Sequence, residues 1–308
     1  MNLSSILFDE HRRVRSGWRA LTFLFAFIFV SLILGGITAL ISASASLGLV
    51  SGSPSFLFLN GLISLGPAIL VGWLCGRFLE RLPFRALGSS FTNRWLLHLG
   101  AGLVFGTLTL VVTVGIAMAF GGLSFNTDPQ PSEAIGRTLL LSLAIFAVAA
   151  AFEEALFRGY ILQTFSRSGL AWLAIALTSV FFGLVHLGNP GANVISTLNT
   201  ALAGVWFGAA YLKTRDLWFP FGIHLAWNWM QGAFFGIEVS GLTEITSAPL
   251  LKEIDRGPAW LTGEAYGIEA GIVCTAAILI SIVTIILVPW PGATAEMVEL
   301  TGGRSGAK

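Results

Sequence analysis

Charge is what this 308-residue chain has little of: Asp, Glu, Lys and Arg make up 11%, against 55% hydrophobic residues, where a soluble domain carries about a quarter charged residues. With a mean hydropathy of +0.81, most of its surface is built for a bilayer. The formal net charge is +1, so there is no basic field to hold a nucleic acid and no acidic block to form a disordered tail. Cys75 and Cys274 stand beside or inside apolar runs and are too few for a disulfide framework or a thiolate metal cluster. Aspartate is confined to Asp9, Asp128, Asp216 and Asp255, none inside an apolar run, which excludes an intramembrane aspartyl dyad. H-E-x-x-H and G-x-S-x-G are also missing, which excludes those metallo and serine mechanisms.

What is there is a series of apolar runs of the ~20 residues a helix needs to cross ~30 Å of hydrocarbon. They predict eight spans, near Leu21–Leu40, Phe56–Leu74, Trp95–Phe120, Thr138–Leu162, Leu170–Leu187, Val194–Tyr211, Phe219–Phe235 and Tyr266–Val288. The fold class is therefore all-α, a polytopic membrane helical bundle. It divides into an N-terminal segment 1–20, a transmembrane domain 21–288 and a tail 289–308. The apolar run before Ala43-Ser44-Ala45 exceeds a signal-peptide h-region, so cleavage there is not expected. Arg12, Arg13, Arg15, Arg19, Arg77, Arg81, Arg85, Arg94, Arg158, Arg167, Lys213 and Arg215 fall on one side of an eight-span zigzag, while Arg137, Lys252 and Arg256 dissent. Basic residues near span ends stay cytoplasmic, which places both termini in the cytoplasm. The longest interspan segment, Gly236–Ala265, reads as a structured external loop without an obvious active constellation.

Ionisable residues inside spans cost roughly 2.5–3.5 kcal/mol each and are functional candidates. The run from Ala150 to Tyr160 holds Glu153 and Glu154 with Arg158. Glu154 and Arg158 are four apart, the helical spacing at which carboxylate and guanidinium neutralise each other. Glu153, ~100° around the helix, lacks that partner. The bland alternative is an interfacial salt bridge with Glu153 reaching water. Of the four histidines, His11 and His98 are expected to be solvated or interfacial. His186 follows Phe182 by four residues, and His224 precedes Asn228 by four, so each pair shares a helix face. A lone histidine on an apolar helix is commonly a hydrogen-bonded packing residue. Together, however, a carboxylate and an imidazole can deprotonate a water, and His224 with the Asn228 amide can hold an oxyanion. That set suffices for peptide hydrolysis, and equally for a proton relay or ion pathway in a transporter.

Glu153-Glu154-x-x-x-Arg158, Phe182-x-x-x-His186 and His224-x-x-x-Asn228 together resemble the CAAX protease and bacteriocin-processing (CPBP, or Abi) family, which includes the type II prenyl-protein endopeptidases. The resemblance covers about 138–235. It implies an endopeptidase with its site within the membrane, opening to the cytosol, acting on a membrane-associated protein or peptide, lipid-modified substrates included. Glu153 with His186 would activate water, and His224 with Asn228 would support the oxyanion. Glu154, Arg158 and Phe182 would be structural. Glu153, His186 and His224 are also legitimate Zn²⁺ ligands, but the metal-free reading is preferred because a carboxamide such as Asn228 is a poor zinc ligand. Some family members act as immunity or scaffold proteins, which remains the non-catalytic alternative. One difficulty stands: His186 lies ~24 Å along span five, whereas His224 lies only ~7 Å into span seven.

Overall fold

The computed structural model describes residues 6–10, 12–44, 50, 52–127 and 130–302. His11 and Asp128 lie outside them, as does the Ala45 end of the cleavage-like motif. The chain is a helical bundle, and six of its helices, among the described residues, are long and apolar enough to cross a membrane. It is an integral membrane protein. Helices α1 (Ser16–Ser44), α2 (Pro54–Leu79) and α3 (Trp95–Ala119) are followed by a short strand β1 (Leu123–Asn126). Next come α4 (Ser132–Ser166), α5 (Ala171–Val185), α6 (Val194–Thr214) and α7 (Trp218–Trp229). Strand β2 (Lys252–Asp255), a single helical turn at Ala259–Thr262, two 3₁₀ turns, α8 (Ile272–Leu287) and α9 (Ala295–Thr301) follow.

All eight expected spans coincide with helices, but two are shorter than a crossing. α7 has 12 residues and continues through a π-helical stretch to Phe234. α8 has 16 residues and begins at Ile272 rather than Tyr266. α4 departs in the other direction. It runs 35 residues, ~52 Å, and Arg158, expected at its cytoplasmic end, is fully buried in its interior. The two strands pair antiparallel, Leu123 opposite Asp255 through Asn126 opposite Lys252, tying the loop after α3 to the long segment after α7.

Local signals explain the boundaries. Pro54 opens α2 with Ser53 as its cap, the Ser53 hydroxyl accepting from Phe56 N, as the missing proline N–H allows. Asn193 and Ser196 form a reciprocal capping box at the start of α6, satisfying two otherwise orphaned amides. Glycines set the depth of α7 against α3. A Cβ on Gly102 would stand 2.3 Å from the Phe219 carbonyl, and one on Gly106 2.3 Å from that of Ile223. The backbones therefore touch, and α7 starts deep: Thr214, Asp216 and Phe219 are completely buried.

Candidate active site

The deep start of α7 removes the depth mismatch between His186 and His224, since both line one cavity of about 500 Å³ together with Glu153 and Asn228. Six helices, α2 and α4 to α8, line it. α4 is regular through Glu154 and then winds as a π-helix over Ala155–Ile161. α7 does the same over Met230–Phe234, just beyond Asn228. Such π turns reset the phase of the side chains that follow and concentrate at functional sites.

Glu154 is the hub. Its Oε1 accepts from Arg158 Nη1 at 3.0 Å and from His224 Nδ1 at 3.1 Å. The expected pairing of Glu154 with Arg158 is present and fully buried. Arg158 also donates through Nη2 to the Gly204 carbonyl at 3.1 Å. Its guanidinium carbon stands 5.0 Å from the Phe182 ring centre, 5.1 Å from Phe207 and 5.6 Å from Phe157. Desolvated cation–π contacts of this kind contribute ~2 kcal/mol, so the aromatic box partly replaces the water that Arg158 has lost.

His224 is held on every side. With Nδ1–H donated to Glu154, its Nε2 lies 3.6 Å from Glu153 Oε2. Its ring stacks on Phe207 at 4.6 Å between centroids and meets Phe182 edge-on at 6.3 Å. His186 sits where α5 tightens into a single 3₁₀ turn. Its Nδ1 is 2.7 Å from the Phe182 carbonyl, and because a carbonyl only accepts, Nδ1 carries the proton and Nε2 keeps its lone pair. Glu153 Oε2 is buried with no hydrogen-bond donor on it. A buried acceptor without a partner is a rare and costly feature, and this one lines a cavity.

Other residues at the site escaped the sequence reading. Glu269, just before α8, lines the same cavity. It accepts from Trp227 Nε1 at 3.1 Å and from the Ser240 amide and hydroxyl at 2.7 and 2.8 Å. It falls inside the expected eighth span, so the rule that flagged Glu153 also marks it. Val239, Ser240, Leu242 and Ile245, from the segment thought to lack a constellation, also line the cavity. Phe207 and Gly204 had no sequence signal, since each acts through a ring face or a carbonyl. His98 differs from expectation. It is completely buried and paired through Nδ1 with Asp216, because the inward start of α7 brings Asp216 into the bundle beside α3.

A metal centre finds no support in the donor set: among the described residues, no three His, Cys, Asp or Glu side chains converge closely enough to hold an ion.

Residues 135–230, from early α4 to the start of the π stretch after α7, match the Rce1-like family of type II CAAX prenyl endopeptidases. Two curated relatives are similar. The uncharacterized protein YyaK of Bacillus subtilis (strain 168) is 28% identical over 205 residues, 61% of this chain and 64% of the relative. An uncharacterized 24.3 kDa protein of Escherichia coli is 30% identical over 118 residues, 37% of this chain and 53% of the relative. The chain thus spans between half and two thirds of these relatives' length.

Proposed function

We propose that this chain, a membrane protein with an Rce1-like domain at 135–230, is an intramembrane endopeptidase that hydrolyses a peptide bond of a membrane-associated polypeptide with a carboxylate-activated water. The observation that carries the reading is the unpartnered Glu153 Oε2 on the cavity wall, 3.6 Å from an imidazole already oriented by a second carboxylate. Glu153 takes the proton of a water, and the lone pair of His186 Nε2 helps to hold that water or relay its proton. As the water oxygen attacks the carbonyl carbon, negative charge grows on the carbonyl oxygen. The Asn228 amide supplies a donor to that oxygen, and His224, one helical turn earlier and with its Nδ1–H held by Glu154, joins it through Nε2 when that nitrogen also carries a proton. The proton then passes to the leaving amine as the C–N bond breaks. Glu154 acts through His224 by fixing its orientation, and Arg158 by neutralising Glu154. The basic residues at the helix ends favour a cytoplasmic location for both termini.

The test compares new peptide termini in membranes from cells carrying the wild type and Glu153→Gln. Termini present only with the wild type are expected. If the two profiles are identical although both proteins accumulate, the chain is not a protease in that membrane. Proton or ion flux into sealed vesicles that depends on Glu153, without peptide product, would identify the transporter instead. A carboxylate-activated water needs no metal, so activity is expected to survive exhaustive dialysis against EDTA. Loss of activity that stoichiometric Zn²⁺ restores would show that Glu153, His186 or His224 are ligands after all.

A further inference from the structure

The two ends of the bundle differ in charge. At one lie Arg19 at the start of α1, Arg77 and Arg81 at the end of α2, Arg94 before α3, Arg167 after α4, and Lys213 with Arg215 at the end of α6. At the other, among the described residues, the basic side chains are Arg137, Lys252 and Arg256, interspersed with Glu238, Glu244, Glu253, Asp255 and Glu264. Basic span ends mark the cytoplasmic side.

The cavity belongs to the other end. Its wall includes Leu57 near the start of α2, His186 and Asn189 at and beyond the end of α5, and Asn199 early in α6. Partly exposed Ser240 and Leu242, in the segment after α7, lie at its margin. Toward the basic end the bundle is closed under it. Arg158, Tyr160, Gln163, Thr164, Tyr211 and Thr214 are each 1% exposed or less. Cytoplasmic termini and a cytosolic opening therefore cannot both hold in this fold.

We infer that the cavity opens on the extracytoplasmic side, and that the substrate class is an exported or membrane-anchored polypeptide whose scissile bond is presented from that side, not a cytosolic lipid-modified tail. The substrate half rests on the endopeptidase reading, whereas the sidedness does not. It is read by labelling single cysteines with a membrane-impermeant sulfonated maleimide in intact cells and in inverted vesicles, in a Cys75→Ala, Cys274→Ala background. Thr243→Cys, exposed beside the cavity margin, and Asn189→Cys, in its wall, are expected to react in intact cells. Asn93→Cys, exposed before α3, is expected to react only in inverted vesicles. The reverse pattern, or reaction of all three from both sides, overturns the orientation. Reaction of Thr243→Cys with Asn189→Cys inert from both sides overturns the opening. Peptide termini dependent on Glu153 should map to extracytoplasmic or outer-leaflet segments, and cytosolic termini would overturn the substrate class. Absence of such termini would defeat the endopeptidase reading, and the substrate class with it, while leaving the labelling result intact.

Discussion

Glu154 and Arg158 look, from their spacing, like a self-contained pair, yet the carboxylate also carries His224. That double duty separates two effects of mutation. Arg158→Ala strands a buried carboxylate, which costs about 3–5 kcal/mol when one partner of a buried ion pair is removed, so folded yield in detergent should fall sharply. Adding Glu154→Gln removes the stranded charge and should restore much of that yield. The same change takes the carboxylate away from His224 Nδ1, so the recovered protein should remain poorly active. Yield that stays low in the double variant would mean that the pair does not govern stability, and full activity would mean that His224 needs no orienting carboxylate. The motif residues were legible because i,i+4 spacing on a helix is a strong geometric constraint. Their partners were not, because Phe207 contributes a ring face and Gly204 a carbonyl, features that any residue of similar shape could offer. Glu269 is a different case, an acid inside an expected span that the same rule marks.

At the level of elements, helix positions followed from hydropathy, while helix ends and depths followed from chemistry that hydropathy does not register. Nothing apolar distinguishes a span that starts at the interface from one that starts inside the bundle. The depth of α7 is set instead by the bare backbones at Gly102 and Gly106, which admit the Phe219 and Ile223 carbonyls. The β1–β2 pair was invisible for a simpler reason, being four residues per strand with no alternating pattern long enough to detect. It also carries a pH dependence. Burial, followed by the neighbouring Glu238 and Asp255, pushes the Glu253 carboxyl from its ordinary 4.5 up to about 8. A carboxyl whose folded value is raised stabilises the fold fully below the unfolded value and loses that contribution as pH rises through the folded one. Amide protection of residues 123–126 and 252–255 should accordingly decline between pH 4.5 and about 8. Glu253→Gln should flatten that decline in hydrogen exchange, and a decline that persists in Glu253→Gln would place the titrating group elsewhere.

Across the whole molecule, beside the His98–Asp216 pair, two assemblies of buried polar groups have separate tasks. One surrounds the cavity. The other fastens the basic end, where Glu80 meets Arg19 of α1 and accepts from Arg167 at 2.8 Å through each oxygen and from Thr164 at 2.9 Å. Burial alone would raise the Glu80 carboxyl, but Arg167 and Arg19 hold it below its ordinary value. This assembly matters most to α1, whose buried residues are Ser16, Arg19, Ala20 and Phe23, all in its first turns. The remainder of α1 shows Phe25, Phe29, Leu32 and Leu40 to lipid, where the hydrophobic effect gives helices little reason to associate. α1 is thus held chiefly by its basic end. Glu80→Ala would leave two largely buried guanidinium groups without their shared carboxylate and should lower the melting temperature of the detergent-solubilised protein by several degrees. Thr164 is eleven residues from Glu153 along α4, ~16 Å at 1.5 Å per residue. Specific activity of the folded fraction should therefore stay within about twofold of wild type, well short of a tenfold loss corresponding to ~1.4 kcal/mol in the barrier. A parallel collapse of melting temperature and specific activity would show that the two assemblies are mechanically one, with the basic end setting the geometry of the cavity from below.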